Sequence, residues 1–377
     1  MRLTHAFAFV LALGIIGTAC APAAVSPAAP AAASPAPAVA SPASAAASPA
    51  APKPTTPVQL TKVRMSHAGA QTFRLPLYVA IQNGYFKDAA IDLEVIGTSS
   101  GSDAMKMLAG KAVEFSTGQV LDAVNLNREG INIQGVAMLT SKLGNSVIVR
   151  KAIANEIKSM ADLKKGLNRT VGVTSVGSGT WQFAVYMGLA SGLTKEDFNF
   201  IPVGTGANVI GAVKAGRVDA MSFADPENFQ LVESGDAAFL IDLTDVATHK
   251  KLIGDTYLNN QIMVSSDYIK QKPEVVQGFV NAIQRGTVWA SEHSPEEIAK
   301  LILGYEGFKG SDEALMVKSL RRMITAIPKS VVITKDAFDN AMKFPVAIGV
   351  LDKPMAYDLL VNTSFAEKAA AQYPAKP

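Results

Sequence analysis

From Val58 onward the chain alternates short strand-like runs with helical runs of about ten residues. That alternation restricts it to parallel β–α–β units and an α/β fold. Residues 63–66 and 91–96 have strand patterns, and the helix between them has Pro76 near its start and Gly84 past its end. A polar loop at 97–102 leads to an apolar helix and a strand around 113–116. The same order returns with strand 170–173, loop 177–180 and helix 181–190, then strand 200–203, loop 204–206, helix 207–215 and strand 219–223. Residues 106–116 echo 213–222: in both, a helix ends at Gly, a basic residue follows, and an acidic residue opens a strand. Two α/β lobes built on one plan are predicted. The C-terminal third instead has four helical runs (273–292, 295–303, 312–327 and 334–344), expected to complete a lobe by packing.

Ahead of this body, residues 21–57 are almost entirely Ala, Pro and Ser and hold ten of the twenty prolines. Proline fixes φ and removes an amide donor, and no large side chain is present to build a core. An extended spacer is predicted over 20–57, reaching up to about 100 Å at roughly 3 Å per residue. Residues 1–19 have the order of a secretory signal: Arg2, an apolar run from Phe7 to Ile16, then Gly17, Thr18 and Ala19. Cys20, the only cysteine, follows directly and resembles the lipidated residue of a bacterial lipobox, with Gly17 where such motifs usually carry Leu. The alternative is an ordinary Ala-X-Ala cleavage site beside a chance cysteine. Both predict export, and the first predicts a membrane anchor at Cys20.

The net charge of +3 over 377 residues gives no reason to expect a nucleic-acid binder, which concentrates Lys and Arg on one face. A single cysteine permits no intrachain disulfide and supplies no thiolate to a metal site in the body. His5, His67, His249 and His293 are scattered, none at metal-ligand spacing with another. No metal and no cofactor are expected.

Several segments resemble one family. They are Pro76 to Ala80 with Asn83 to Phe86 and Ile91 to Glu94, then Ala109-Gly110 with Val113 to Phe115. Ile157 to Lys164 with Val171 to Val173 and Gly177 to Gly179 follows, then Ala215 to Ala220 with Pro226, and last Pro273 to Val276 with Pro295 to Glu297. Their order over residues 60–305 is similar to that in the ABC-transporter substrate-binding proteins of the sulfonate, nitrate, taurine and thiamine-precursor group. The resemblance implies a two-lobed type II periplasmic-binding-protein fold, each lobe a mostly parallel sheet flanked by helices. It places one discontinuous lobe at 58–147 plus 264–377, the other at 148–263, with crossings near Ser146 to Val149 and Gln261 to Val264. It implies a monomeric, non-enzymatic, extracytoplasmic receptor that hands a small molecule to an ABC permease. Some relatives make the thiamine pyrimidine on this scaffold with a cysteine-rich motif and a pyridoxal phosphate lysine. This chain lacks such a motif, so an enzyme is the alternative, as is a ligand-sensing ectodomain.

In open α/β sheets, ligands sit beyond the carboxyl ends of strands, where helix N-termini offer free amides. Four loops meet that description, and each has an ordinary capping role as its alternative. The first offers Gln71, Phe73 and Arg74; the second Thr98, Ser99 and Ser100. The third, ending at Gln119, offers Ser116, Thr117 and Gly118; the fourth Gly177, Ser178, Gly179 and Thr180, followed by Trp181. Arg74 suits an anionic group, Trp181 a flat or methylene-rich one, and Asp225 an amine if it faces the cleft.

Overall fold

The computed structural model describes residues 59–376. The signal sequence, Cys20 and the whole of the spacer lie outside the described residues. Two five-stranded mixed sheets form the frame. The first contains β1 (Thr61–Ala68), β2 (Ile91–Thr98), β3 (Phe115–Gly118), β4 (Ile133–Thr140) and β10 (Asn260–Ser265), in the order β2-β1-β3-β10-β4. The second contains β5 (Asn145–Arg150), β6 (Val171–Val173), β7 (Phe200–Pro202), β8 (Ala220–Ala224) and β9 (Ala237–Asp242), in the order β7-β6-β8-β5-β9.

The two orders are the same plan. In each sheet three parallel strands lie together, and one antiparallel strand separates them from the last. The antiparallel strand comes from the other half of the chain. β5 follows β4 but joins the second sheet, and β10 follows β9 but joins the first. Each sheet is mixed, four of its strands running one way, because the strand that returns from a crossing enters in the opposite direction. The segments expected to be crossings, 146–149 and 261–264, are themselves ladder strands. The chain passes between sheets just before them, at 141–144 and 243–259. The repeated sequence pattern falls on equivalent elements, the helices Gly101–Ala109 and Ala207–Lys214 with the strands β3 and β8 that follow them.

The C-terminal helices explain the first lobe's core. Pro273–Glu292 buries Val276, Phe279 and Ile283 against Val63, Met65 and Leu77, and Phe279 stacks on Phe115 of β3 with ring centroids 4.0 Å apart. The later helix Lys335–Ala347 does not stay with the first lobe. Its Phe338 and Met342 join the core around Val120 and Val124, while Phe344 stacks on Tyr186 of the second lobe at 3.6 Å. This helix, within the 264–377 segment expected in the first lobe, packs on both lobes.

One close approach sets the docking of Pro273–Glu292. A Cβ built on Gly286 would lie 2.2 Å from the carbonyl oxygen of Pro76, at the start of the helix Leu75–Gln82. Backbone cannot yield as a flexible side chain can. Gly286→Ala should destabilise the protein by about 1–3 kcal/mol, the usual cost of overpacking. Urea denaturation monitored by circular dichroism checks it; a midpoint equal to wild type would show that the helix can slide.

Candidate functional site

Where the carboxyl ends of β1, β3, β6 and β8 meet across the lobes, a cavity of about 50 Å³ remains, room for only a few water molecules. The first lobe contributes Gln71, Phe73 and Arg74 after β1, and Thr117, Gly118, Gln119 and Asp122 around the end of β3. The second contributes Thr174, Ser178, Gly179 and Thr180 after β6, with Phe223 and Ala224 at the end of β8. Asn145 and Asn260, the first residues of the exchanged strands, also line it, with Ala68, Gly101 and Thr205.

The lobes touch across it. Thr72 donates from both its amide and its hydroxyl to the carbonyl oxygen of Asp225, each at 3.3 Å, and Ser175 donates to the Ser102 hydroxyl at 3.4 Å. A Cβ on Gly179 would lie 2.1 Å from Gln119 Oε1, so only glycine lets that helix N-terminus approach the opposite side chain so closely.

Arg74 dominates the electrostatics. It is 4% exposed, yet every hydrogen bond its guanidinium donates goes to a neutral acceptor. Nε donates to Thr117 Oγ1 at 2.8 Å, and Nη1 to the carbonyls of Ala68 at 2.7 Å and Gly69 at 3.2 Å and to Gln71 Oε1. Burial lowers its pKa, opposed by the nearby Tyr78, Tyr305 and Glu227. Leaving an ionised group buried without a counter-charge in contact is costly. Three further polar atoms of the lining are buried without a partner: Gln71 Nε2, Asn145 Oδ1 and Asn260 Oδ1.

Among the described residues, Asp122 is the one carboxylate on the cavity wall. Its Oδ2 accepts from the Gln119 amide at 2.7 Å, closing a capping box on the helix Val120–Arg128. Burial pushes its pKa up to about 6, against the opposing pull of the Gln119 amide and of Arg74. Thr174, Ser178 and Thr180 form a closed hydroxyl triangle, with oxygens 2.8, 3.1 and 2.9 Å apart.

Of the residues proposed from sequence, the structure gathers Gln71, Phe73, Arg74, Thr117, Gly118, Ser178, Gly179 and Thr180 on this cavity. Others lie beside it in structural roles. Ser100 caps the helix Gly101–Ala109, Ser99 donates to Asp103 at 2.6 Å, and Thr98 donates to the carbonyl of Ser100 at 2.8 Å. Ser116 points behind the sheet to Ser66, and Gly177 makes a left-handed turn at φ 84°.

Two placements are corrections. Trp181 packs with Val173, Val185 and Ile348, its ring edge-on to Phe200 at 6.2 Å. Each helical residue turns about 100°, so Thr180 facing the cavity sends Trp181 into the core. Asp225 is fully buried but faces away from the cavity, paired with Arg322 at 3.0 Å. Sequence reasoning misses Asp122, Asn145, Thr174, Thr205 and Asn260, all of which line the cavity, as does Gln119 at the end of the third candidate loop. The three-residue spacing of Gln119 and Asp122 is a capping-box signal that could have drawn attention to that pair. Among the described residues, no group of three or more His, Cys, Asp or Glu is placed to hold a metal.

The sequence model described as NMT1/THI5 like matches residues 71–298. The chain belongs to this family. Among NMT1/THI5-like relatives, a putative binding protein, YtlA, of Bacillus subtilis is 21% identical over 325 residues, 82% of this chain and 90% of that protein. A 4-amino-5-hydroxymethyl-2-methylpyrimidine phosphate synthase of Legionella pneumophila is 24% identical, over 61% of this chain and 69% of that enzyme. A Bordetella bronchiseptica protein of solved structure superposes with a TM-score of 0.76 at 26% identity, covering 83% of this chain and 98% of its own. The periplasmic nitrate-binding protein NrtA of Synechocystis PCC 6803 gives 0.66 at 16% identity, covering 84% and 90%. The fold is that of the type II periplasmic binding proteins.

The Asp122 carboxyl keeps its proton to about pH 6 in the folded protein but releases it near 3.8 when unfolded. Folding then takes up a proton between these values, so this group's contribution to stability falls as pH rises from about 4 to 6. Asp122→Asn should match wild type near pH 4 and exceed it above pH 6, by up to about 3 kcal/mol at 1.36 kcal/mol per pKa unit. Urea midpoints at the two pH values test this; an equal difference at both would remove Asp122 as the source.

Proposed function

We propose that this protein is an extracytoplasmic receptor that closes its lobes on a small anionic or polar organic solute and delivers it to an ABC permease. The observation that carries this reading is Arg74, a buried cation on an interlobe cavity whose hydrogen bonds all go to neutral groups. An anionic ligand group would supply the missing counter-charge, and Gln71 Nε2, Asn145 Oδ1 and Asn260 Oδ1 would gain partners from its polar remainder. Asp122 offers an acceptor to an amino or hydroxyl group on the same solute. The cavity's small volume supports a compact ligand or a wider opening of the lobes as it enters.

In this reading the ligand-binding residues are the eight sequence-derived ones on the cavity together with Asp122, Asn145 and Asn260. The lobes divide at the two crossings, 141–144 and 243–259. The protein acts as a monomer, anchored to a bacterial membrane by lipid on Cys20. The named pyrimidine synthases among its relatives give the enzyme alternative, in which the same cavity would hold a substrate that is consumed.

Calorimetric titration with nitrate, short alkanesulfonates and aminopyrimidines tests the binding reading. Arg74→Gln should weaken the ligand that binds by about 10- to 100-fold, the loss of a charged hydrogen bond worth about 1.5–3 kcal/mol. Unchanged affinity would sink the role of Arg74, and turnover of the bound compound would favour the enzyme. For the anchor, cells fed a palmitate analogue should label the wild type and not Cys20→Ala; equal labelling would overturn lipid attachment.

A further inference from the structure

The helix Glu313–Met323 belongs by its packing to the first lobe, where Met316 and Leu320 join the core of Val63 and Phe279. Its opposite face runs along the second lobe. Lys318 and Arg322, four residues apart and so on one side of the helix, both reach across. Lys318 pairs with Glu233 at 2.6 Å, an exposed contact of small worth. Arg322 is different. Its Nε donates to Asp225 Oδ2 at 3.0 Å and its Nη2 to Asp242 Oδ1 at 3.1 Å. Its guanidinium carbon also lies 4.7 Å from the ring centroid of Phe229 and 4.6 Å from that of Phe239.

All four partners are on the second lobe: Asp225 just past β8, Phe239 and Asp242 within β9, and Phe229 on the helix Glu227–Glu233. They form a socket that is unfavourable when empty. Asp225 has no exposed side-chain surface, and the charge of Asp242 works against its ionisation. A cation between the two carboxylates removes that repulsion, and the aromatic faces add an attraction specific to a planar guanidinium. The socket also adjoins the site. Met323, the next residue, packs with Phe73 and Ala224, which line the cavity on opposite lobes.

We propose that Arg322 is a closure clamp: seated between Asp225, Asp242, Phe229 and Phe239, it holds the lobes together before any solute arrives. A protein whose binding-competent state is already populated loses less affinity to conformational change. Arg322 thus sets affinity from outside the cavity, as a positioning residue that touches no ligand. This rests on the two-lobed fold and not on the identity or charge of the solute.

The test uses no ligand. Nitroxide labels at Lys195 and Lys300, exposed positions on the two lobes, are introduced into the full chain carrying Cys20→Ser. Pulsed electron resonance should give one short interlobe distance for the otherwise wild-type protein. Arg322→Ala should add a longer distance and shift the closed-to-open ratio by roughly 30-fold or more, as expected for removing one partner of a buried charge pair. Arg322→Lys should lie between, since it keeps the charge and loses the fork and the ring stacking. Asp242→Asn, a change at a partly exposed socket residue, should also move the ratio toward open and covers the case in which Arg322→Ala fails to fold. Distance distributions unchanged in the folded variants would overturn the clamp, as would a wild type that rests wholly open. Neither result would bear on Arg74 as the solute's counter-charge.

Discussion

Each lobe depends on a strand delivered by the other half of the chain. β10 reaches the first sheet only after the second is nearly complete, and it lies between β3 and β4. β5 does the reverse between β8 and β9. Ladder hydrogen bonds on both sides of an exchanged strand are lost together if it leaves, so neither sheet is closed without its partner's contribution. The exchange also makes the site. Asn145 and Asn260 open these two strands and stand on the cavity where the crossings end.

Around that frame the polar groups are arranged unequally. The hydroxyls of Thr174, Ser178 and Thr180 satisfy one another, and Asp122 is held by the amide it caps. Arg74 has hydrogen bonds but no carboxylate in contact, and the two asparagines each leave an oxygen unpaired. Rigid, self-satisfied groups surround a few unsatisfied ones. Such a wall keeps its shape while a small set of atoms discriminates among solutes.

Much of this architecture is legible in the amino-acid sequence. The repeated helix–Gly–basic–acidic–strand pattern marks the equivalent strands β3 and β8, because both lobes need the same turn from helix into sheet. Arg74 and the loop after β6 stand out because ligands gather beyond strand ends. Orientation and pairing are what sequence leaves open. Trp181 and Thr180 are neighbours along the chain and opposite in space, and Asp225 pairs with Arg322, nearly a hundred residues later. Asn145 and Asn260 carry no local signal at all, since their place follows from which sheet each crossing strand joins. Likewise, Phe344 reads as an ordinary core residue, and only the folded chain shows it stacked on Tyr186.

The direction of β1 has a mechanical consequence. It enters the first sheet at Thr61 and arrives at the cavity edge with Ala68, seven residues later. At about 3.3 Å per residue, roughly 25 Å of strand separates the chain's entry point from the solute. A pull applied through the N-terminal segment would therefore act along a strand hydrogen-bonded on both sides, at the end away from the cleft. Such a load shears a ladder instead of prying the lobes apart, so the receptor can be held at its base without disturbing the closure of its two halves.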